Sequence, residues 1–342
     1  MSRYSFASLC PEERLCRILK RGSAQPLLWR LKKGDLRNFP FHAGRPFYFF
    51  IILKVRREEI GSLGGRIVPP GFAKGSIMVI TFSSMKGGVG KSTDAILLAN
   101  NLAARGFKVL FFDMDTNNSS TIYYTLGMAD EFPMRNVAEA LTHRTTEGYA
   151  VKSRIPNVDI VPSSLRLFDI RSIDYHALKK TLPDGKYDFV VIDTAPTYDN
   201  LVMNALYAAD CIFTPVQLDF FNITTTKFLR SHLYDELAEQ VGKWFIYYTF
   251  WQDNLAPFPH SVQSQYAAVF ESEFDNILKD IQIPKTPATA KYTQTDVKVS
   301  VRSQMLGSQR LAVAFNRLAN LVTQTEPQKD GDGNEIFPVE KF

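Results

Sequence analysis

The segment at residues 77–103 constrains the fold of this 342-residue chain more than any other stretch. An apolar run at residues 78–82 predicts a buried strand, and apolar residues at helical spacing after residue 94 predict a helix. Between them lies a glycine-rich turn with the sequence Lys86-Gly87-Gly88-Val89-Gly90-Lys91-Ser92-Thr93. A strand, a glycine-rich turn, a Lys-Ser pair and a helix in this order are typical of a phosphate-binding loop.

The residue types of this turn suit a phosphate ligand. Its three glycines lack a Cβ atom, so the backbone can bring its N–H groups close to phosphate oxygens. The N-terminus of the predicted helix adds free N–H groups and the positive end of the helix dipole. Lys91 supplies a positive charge for the β- and γ-phosphates, and the Ser92 hydroxyl is a ligand for Mg²⁺. We therefore predict that residues 86–93 bind the phosphates of a nucleotide together with Mg²⁺.

The loop departs from the usual pattern G-x-x-x-x-G-K-[ST]. Met85 stands where that pattern has a glycine, and a second lysine, Lys86, follows it. The string from Lys86 to Thr93 resembles the deviant Walker A motif of the ParA/MinD-type ATPases. In that family two subunits enclose ATP in a sandwich dimer. The resemblance implies that Lys86 reaches the nucleotide of the partner subunit and takes part in catalysis.

Two further predicted strands end in carboxylates. Residues 109–112 lead to Asp113 and Asp115, and residues 189–192 lead to Asp193. Carboxylates at strand ends beside a phosphate loop suit Mg²⁺ and water handling. Both segments resemble the switch segments of the same family, which implies that Asp115 orients or deprotonates the attacking water, Asp113 supports the Mg²⁺ shell and Asp193 binds Mg²⁺. The alternative is that these aspartates only cap helices or form turns.

The order of strands and helices predicts the fold class. Predicted helical segments alternate with strands at residues 78–82, 109–112, 158–161, 189–192, 211–214 and 244–249. This alternation favours an α/β fold with a doubly wound, mainly parallel sheet, as in P-loop NTPases. The connection at residues 165–182 is expected to be mostly helical, and a further helix is expected at residues 224–241. The resemblance covers about residues 78–325 as an ATPase domain, and a flexible tail is expected at residues 326–342.

Beyond residue 218 the resemblance is looser. The string Ile283-Pro284-Lys285 is similar to the loop that packs on adenine in the family, which implies a nucleotide contact from Pro284. ParA-type dimers bind DNA without sequence preference through surface Lys and Arg, which neutralise phosphates. The candidate DNA contacts are the densest basic residues of the domain, Lys285, Lys291, Lys298, Arg302 and Arg310. An ordinary solvated face is the alternative interpretation of these residues.

The first 77 residues differ in charge from the rest of the chain. They contain 15 Lys or Arg and five Asp or Glu residues, whereas residues 78–342 contain 25 basic and 30 acidic residues. Such an asymmetry is typical of a nucleic-acid-binding arm, but no pair of helices joined by a short glycine-containing turn favours a helix-turn-helix domain. Met78 lies where short ParA-type proteins begin. Residues 1–77 are therefore either a basic N-terminal extension or translated upstream sequence, and a native peptide from before Met78 would refute the second hypothesis.

The composition agrees with a cytoplasmic protein. No run approaches the ~20 apolar residues that span a bilayer, and no signal peptide is recognised. Cys10, Cys16 and Cys211 form neither a disulfide framework nor a C-x-x-C pair. With 45% hydrophobic residues the chain can bury a full core. Given the resemblance, we expect a cytoplasmic ATPase associated with the nucleoid.

The resemblance also implies partners and a function. It implies an ATP-bound homodimer that binds DNA non-specifically and hydrolyses ATP when a ParB-like or other cargo-bound protein stimulates it, as in plasmid and chromosome partition. A conjugation accessory ATPase and a MinD-like membrane-cycling ATPase are the alternatives within the family. The expected tail lacks the basic amphipathic helix of membrane-binding relatives, so no membrane partner is expected. An iron–sulfur reductase of related fold needs paired cysteines, which Cys211 alone does not supply in this domain.

Overall fold

The computed structural model describes residues 77–126, 134–287 and 309–324, and the backbone of residues 328–329 and 335–336. All of these residues lie in the compact unit Leu63–Phe342. The predicted extension before Ile77 and most of the predicted tail lie outside the described residues. Three of the candidate DNA contacts, Lys291, Lys298 and Arg302, also lie outside them.

Eight strands form the main sheet of the described part. In chain order they are β1 (Met78–Phe82), β2 (Val109–Met114), β3 (Val151–Lys152), β4 (Val158–Val161), β5 (Phe189–Thr194), β6 (Cys211–Val216), β7 (Trp244–Trp251) and β8 (Ile277–Pro284). Their order across the sheet is β3-β4-β2-β5-β1-β6-β7-β8. Strands β3 and β4 run antiparallel, and the other neighbouring pairs of this sheet run parallel. This topology confirms the predicted α/β class with a mainly parallel sheet.

Helices cover both faces of this sheet. The α-helices of the described part are α1 (Lys91–Ala104), α2 (Ser119–Thr125), α3 (Val137–His143), α4 (Ala177–Thr181), α5 (Asn200–Ala208), α6 (Phe220–Glu236), α7 (Val262–Glu273) and α8 (Gln309–Thr323). Two 3₁₀ helices are also present, Leu165–Phe168 and Ala238–Lys243. Within the segment expected to be a flexible tail, β9 (Gln328–Lys329) and β10 (Glu335–Ile336) pair as short antiparallel strands.

The central strands are apolar throughout because both of their faces are covered. Along β1, Ile80 packs with side chains of α1 and α8, whereas the preceding Val79 packs with side chains of α3 and α5. Successive residues of a strand point to opposite faces, so a doubly covered strand has no polar side. The carboxyl ends of the parallel strands meet at one edge of the sheet. There Asp113 of β2 and Asp193 of β5 are paired in register.

The structure differs from the sequence prediction in three places. The prediction of a mostly helical segment at residues 165–182 was wrong: helical turns occur at Leu165–Phe168 and Ala177–Thr181, and between them Asp174 accepts a hydrogen bond from the N–H of His176. Such a local side-chain turn competes with helix formation. Helix α6 begins at Phe220 rather than at residue 224, because the Asp219 carboxylate caps its first turn. The sequence patterns predicted neither α7 nor β3.

A further difference concerns the edge of the sheet. The string Ile283-Pro284-Lys285 was interpreted as a loop, but Ile283 and Pro284 are the last residues of strand β8. The N–H of Lys285 donates a hydrogen bond to the carbonyl oxygen of Trp251 at 2.9 Å. Pro284 has no N–H group and is tolerated here because β8 lies at the end of the strand order, where a donor is dispensable.

Candidate nucleotide-binding site

The glycine-rich turn connects β1 to α1 at the carboxyl edge of the sheet. Gly88 and Gly90 have φ angles of 76° and 100°, in the left-handed region that glycine adopts without strain. Gly90 is the N-cap residue of α1, so the turn leads directly into the helix N-terminus. The N–H groups of Gly87, Gly88 and Gly90 donate to none of the described backbone carbonyl groups outside the helices and strands. This is the arrangement that a phosphate-binding loop requires.

One side chain just after β6 and one in β7 hold the turn in place. The side-chain amide of Gln217 donates a hydrogen bond to the carbonyl oxygen of Gly88 at 3.0 Å. The hydroxyl of Thr249, in β7, donates one to the carbonyl oxygen of Val89 at 2.9 Å. Two carbonyl groups of the loop are therefore bonded to the protein. A loop whose carbonyls are fixed in this way is preorganised for an anion, because their negative ends are already neutralised by donors.

Met85 explains why this loop can depart from the usual glycine pattern. Its side chain is partly buried and packs against an apolar cluster that includes residues of α6 and β7. Leu218, just before α6, packs against the same cluster. The methionine thus packs the start of the loop against this cluster. A flexible, unbranched side chain is suited to filling such an irregular gap.

The two lysines of the loop have opposite surroundings. Lys91 is only 6% exposed, and burial lowers its pKa, while the carboxylates of Asp193 and Asp115 act in the opposite direction. Lys86 is partly exposed, and its ammonium lies over the ring of Phe221, 5.5 Å from the centroid. Lys91 is therefore buried in the nucleotide site of its own subunit, whereas Lys86 lies at the surface of that subunit.

Asp193 is the penultimate residue of β5 and lies beside the first turn of α1. Its Oδ2 atom accepts a hydrogen bond from the Ser120 hydroxyl at 2.8 Å. Burial raises the pKa of Asp193 to about 6, and hydrogen bonds from Ser92 and Ser120 together with the charge of Lys91 oppose this rise. Its Oδ1 atom is buried and has no hydrogen-bond partner within the described part of the chain. The structure thus brings together Lys91, Ser92 and Asp193 as predicted.

The unpartnered Oδ1 atom of Asp193 indicates whether Mg²⁺ fits this site. A buried carboxylate oxygen without a partner costs free energy, and a cation removes that cost. The hard oxygen atoms of Ser92 and Asp193 are the ligand type that Mg²⁺ takes in phosphate sites, where phosphate and water oxygens supply the remaining positions. Within the described residues, no group of three or more His, Cys, Asp or Glu side chains is placed to hold a metal ion without such additional ligands. The residues present therefore fit Mg²⁺ bound together with phosphate.

Asp113 is fully buried beside Asp193, and its oxygens are bonded within the protein. Its Oδ2 atom accepts hydrogen bonds of 2.7 Å from both the N–H and the hydroxyl of Thr121, and its Oδ1 atom accepts one from the N–H of Asp115. Burial, and then the neighbouring Asp193 charge, raise the pKa of Asp113 to about 8. Asp113 thus fixes the segment that carries Asp115 and Ser120, which agrees with a supporting role around the metal.

Asp115 follows β2 and is 8% exposed. Its Oδ1 atom accepts a hydrogen bond from the N–H of Asn117 at 3.0 Å, which forms a local turn. Its carbonyl oxygen accepts a hydrogen bond from the Ser163 hydroxyl at 2.7 Å. Asp115 is not the N-cap of α2, since Asn118 occupies that position. The helix-cap alternative for Asp115 is therefore wrong, and its carboxylate lies close enough to Lys91 to influence its charge.

The remaining predicted residues lie farther along the chain. Lys285 is exposed and follows β8. Arg310, in the first turn of α8, is exposed and its guanidinium forms an ion pair with Asp253. The positive charge of Arg310 is therefore partly compensated. The involvement of these residues in DNA binding stays a prediction, as does the adenine contact of Pro284.

Sequence reasoning missed several residues that the site uses. Ser120 and Thr249 bond to the site as described above and have no sequence signal, whereas Gln217 lies in the string Pro215-Val216-Gln217, which resembles the family but was assigned no role. Asp94, in the first turn of α1, is 2% exposed and accepts a hydrogen bond from the Tyr247 hydroxyl. An acidic residue directly after a Lys-Ser-Thr string was the one visible signal for Asp94.

Together, the mainly parallel sheet, the glycine-rich loop and the paired carboxylates define a P-loop NTPase. A family model described as an AAA domain matches residues 77–237. The chromosome partitioning protein ParA of Caulobacter vibrioides is 34% identical over 168 residues, which cover 45% of this chain and 62% of that protein. The family model and this relative support the resemblance to the ParA/MinD-type P-loop ATPases. The chain spans about three fifths of the length of this relative.

Solved structures share the fold. A plasmid partition protein from Borrelia burgdorferi is 23% identical and superposes with a TM-score of 0.56, covering 73% of this chain and all of that chain. Cobyrinic acid a,c-diamide synthase from Mycobacterium smegmatis, with bound ADP and magnesium, is 19% identical with a TM-score of 0.59 and covers 73% of this chain and 95% of its own. A partition protein and a biosynthetic enzyme thus share this fold, so the fold alone does not identify the function of this chain. In the described part of the chain, no helix has the length and apolar character of a membrane span.

Proposed function

We propose that this chain is an ATPase of the ParA branch that positions DNA or another cargo. It binds ATP with Mg²⁺, forms a homodimer that encloses the nucleotides, and binds DNA without sequence preference as that dimer. A ParB-like or other cargo-bound protein then stimulates hydrolysis to ADP and phosphate, and the dimer releases the DNA. Such a cycle takes place in the cytoplasm at the nucleoid.

The observation that carries this proposal is the contrast between the two loop lysines. Lys91 is buried beside Asp193 and Asp115, whereas the ammonium of Lys86 lies on the outer surface over an exposed ring. Within the described residues, Lys86 forms no ion pair with a carboxylate. A lysine that its own site does not use is available for the nucleotide of a second subunit. This supports a dimer in which each subunit completes the site of the other.

We assign the following roles to the remaining residues. The N–H groups of residues 87–90 and the ammonium of Lys91 hold the phosphates. Ser92 and Asp193 hold Mg²⁺, which when bound neutralises charge on the phosphate oxygens. Asp115 orients the attacking water or accepts its proton, and Asp113 keeps the Asp115 segment in place through its bonds to Thr121. Pro284 is the candidate contact for the adenine.

The DNA-binding part of the proposal depends on the basic residues near the end of the domain. Lys285 is exposed, and the other candidates are Lys291, Lys298, Arg302 and Arg310. Contacts of lysine and arginine with phosphates release counterions, so the affinity must fall steeply with salt. A conjugation accessory ATPase would share the nucleotide cycle and differ in its cargo.

The test is DNA binding by the purified chain with ATP, with ADP and without nucleotide. We expect binding only with ATP, equally to unrelated duplexes, and weakened by a rise in salt from 50 to 200 mM by at least about tenfold. Lys91→Ala, which removes the phosphate-binding charge, is the control and should bind no DNA in any nucleotide state. Equal binding by the wild-type chain in all three states would refute the proposed switch.

A further inference from the structure

The contact between Lys86 and Phe221 brings the unusual lysine of the P-loop onto helix α6. The ammonium lies 5.5 Å from the centre of the Phe221 ring, within the distance at which a cation is attracted to an aromatic face. The two residues are 135 positions apart, so the fold and not the local sequence creates this contact. The side chain of Lys86 is long and flexible, and its position is therefore set by what it contacts.

The backbone that carries Phe221 is attached to the loop. Asp219 caps α6 by accepting hydrogen bonds of 2.8 Å from both the backbone N–H and the side-chain amide of Asn222. Gln217, two residues before this cap, is bonded to the carbonyl oxygen of Gly88. The start of α6 is thus attached to the P-loop itself. The backbone that carries Phe221 is therefore anchored to the loop, whereas the side chain of Lys86 is long and flexible.

Burial does not account for the position of Phe221. Its side chain is 65% exposed, and that of the preceding Phe220 is 61% exposed. The two rings meet edge to face with centroids 5.9 Å apart. Among the cation–π contacts of the described residues, Phe221 is paired with Lys86 whereas Phe220 takes part in none. Phe220 is therefore a matched neighbour: it has the same residue type and similar exposure but no lysine.

We propose that Phe221 is a positioning residue for Lys86. It keeps the ammonium on the surface of its own subunit until a second subunit with bound nucleotide presents a stronger anionic site. The proposal rests on the proposed function, because it requires Lys86 to act across a dimer. Helix α6 also contacts the loop after β5, since the rings of Tyr198 and His232 stack with centroids 4.2 Å apart. One helix thus contacts both the loop lysine and the segment that follows Asp193.

The expected size of the effect is modest. A cation–π contact at an exposed site changes an equilibrium about 2- to 5-fold. A symmetric dimer releases two lysines, so loss of both contacts changes the dimerisation constant roughly 5- to 25-fold. Phe221 therefore opposes premature dimerisation without blocking it. Phe221→Leu keeps an apolar side chain at this exposed position and removes the aromatic face.

The test has two measurements on the full chain. First, NMR of lysine side chains without nucleotide should show the methylene group next to the Lys86 ammonium shifted upfield by the ring, with the signal assigned through Lys86→Arg. The shift should disappear in Phe221→Leu and persist in Phe220→Leu. Second, sedimentation with AMPPNP and Mg²⁺ should show roughly 5- to 25-fold tighter dimerisation for Phe221→Leu and no change for Phe220→Leu.

Each outcome tests either the positioning role of Phe221 or the proposed function. An unshifted Lys86 signal in the wild-type chain, or the same signal in Phe221→Leu, would overturn the positioning role and leave the proposed function intact. Equal dimerisation constants for the wild-type chain and both variants would do the same. If the wild-type chain forms no dimer with AMPPNP, the proposed function fails and this inference fails with it, even where the ring shift is observed.

Discussion

The hydroxyl of Tyr247 donates a hydrogen bond of 2.7 Å to the Asp94 carboxyl group, next to the P-loop. A Cβ atom added to Gly90 would lie 3.6 Å from the carboxyl oxygens of Asp94, so this acid packs against the loop backbone. Burial raises the pKa of Asp94 to about 8, and the bond from Tyr247 opposes the rise. The loop that awaits phosphate therefore rests on an acid that is protonated at neutral pH.

The Asp94 proton makes stability depend on pH in a defined direction. The folded chain holds the proton up to a pH of about 8, whereas an unfolded chain releases it near pH 4. The resulting stability is complete below about pH 4 and is lost as the pH rises to about 8. Asp94→Asn has no such proton. The free energy of unfolding of the wild type should therefore fall relative to that of Asp94→Asn by up to about 1.4 kcal/mol per pH unit.

Urea unfolding of the nucleotide-free chain at pH 6, 7 and 8 measures this difference. Asp184→Asn, at an exposed turn, is the matched control and should follow the wild type. If the wild type and Asp94→Asn change in parallel over this pH range, the Asp94 carboxyl does not hold its proton in the folded state.

The bond between Ser120 and Asp193 predicts a specific loss of metal affinity. Residues that orient a metal ligand typically contribute about 10- to 100-fold to metal binding. We therefore expect Ser120→Ala to weaken Mg²⁺ binding in the presence of ADP about tenfold, because Asp193 loses the donor that fixes its Oδ2 atom. Titration with Mg²⁺ followed by calorimetry measures the effect. Ser119→Ala, one residue earlier and exposed, should leave the Mg²⁺ affinity unchanged; similar losses in both variants would show that α2 as a whole had been disturbed.

The Thr249 hydroxyl supports the loop from β7, and its removal leaves the buried Val89 carbonyl without a donor. Thr249→Val keeps the shape of the side chain. An unsatisfied buried polar group costs about 1–3 kcal/mol, so we expect the free energy of unfolding to fall by that amount and the affinity for AMPPNP to fall as well. Thr224→Val, which removes a comparable hydroxyl-to-carbonyl bond on the exposed face of α6, is the control. Equal effects of the two substitutions would mean that the loop does not depend on Thr249.

The sequence was sufficient to predict the parts of the site that are local in the chain. Lys91 and Ser92 lie in one string, and Asp193 ends an apolar run, so strand–turn patterns place them correctly. The bond from Tyr247 to Asp94 joins residues 153 positions apart, and that from Thr249 to Val89 joins residues 160 apart. Such contacts depend on the order of strands in the sheet, which no local pattern specifies.

The sequence did not predict strand β8, and the position of this strand in the sheet explains why. It lies at the end of the strand order, and along it Ile281 and Ile283 are buried while Lys279 and Asp280 are exposed. An edge strand has less of its surface covered than a central one, so its apolar pattern is short and interrupted. Pro284 at its end adds a residue that favours a loop when the sequence is considered alone.

The proposed exchange of Lys86 between subunits can be tested by complementation. Lys86→Ala should bind ATP, because Lys91 and the loop N–H groups remain, but its stimulated hydrolysis should fall about 10³- to 10⁵-fold, the usual worth of a cation supplied to a phosphoryl transfer. Asp115→Ala should also be inactive. In a mixed dimer, the site in the Lys86→Ala subunit has its own Asp115 and receives Lys86 from the other subunit. One complete site therefore forms in each mixed dimer.

An equal mixture should recover about a quarter of the wild-type turnover, because half of the dimers are mixed and each has one of its two sites complete. The measurement is the rate of phosphate release at concentrations where the dimer forms. Lys86→Ala mixed at the same ratio with a chain that carries both Lys86→Ala and Asp115→Ala is the control, and it should recover no turnover because neither subunit supplies Lys86. If the Lys86→Ala and Asp115→Ala mixture is as inactive as either variant alone, Lys86 serves the site of its own subunit and the sandwich-dimer mechanism is wrong.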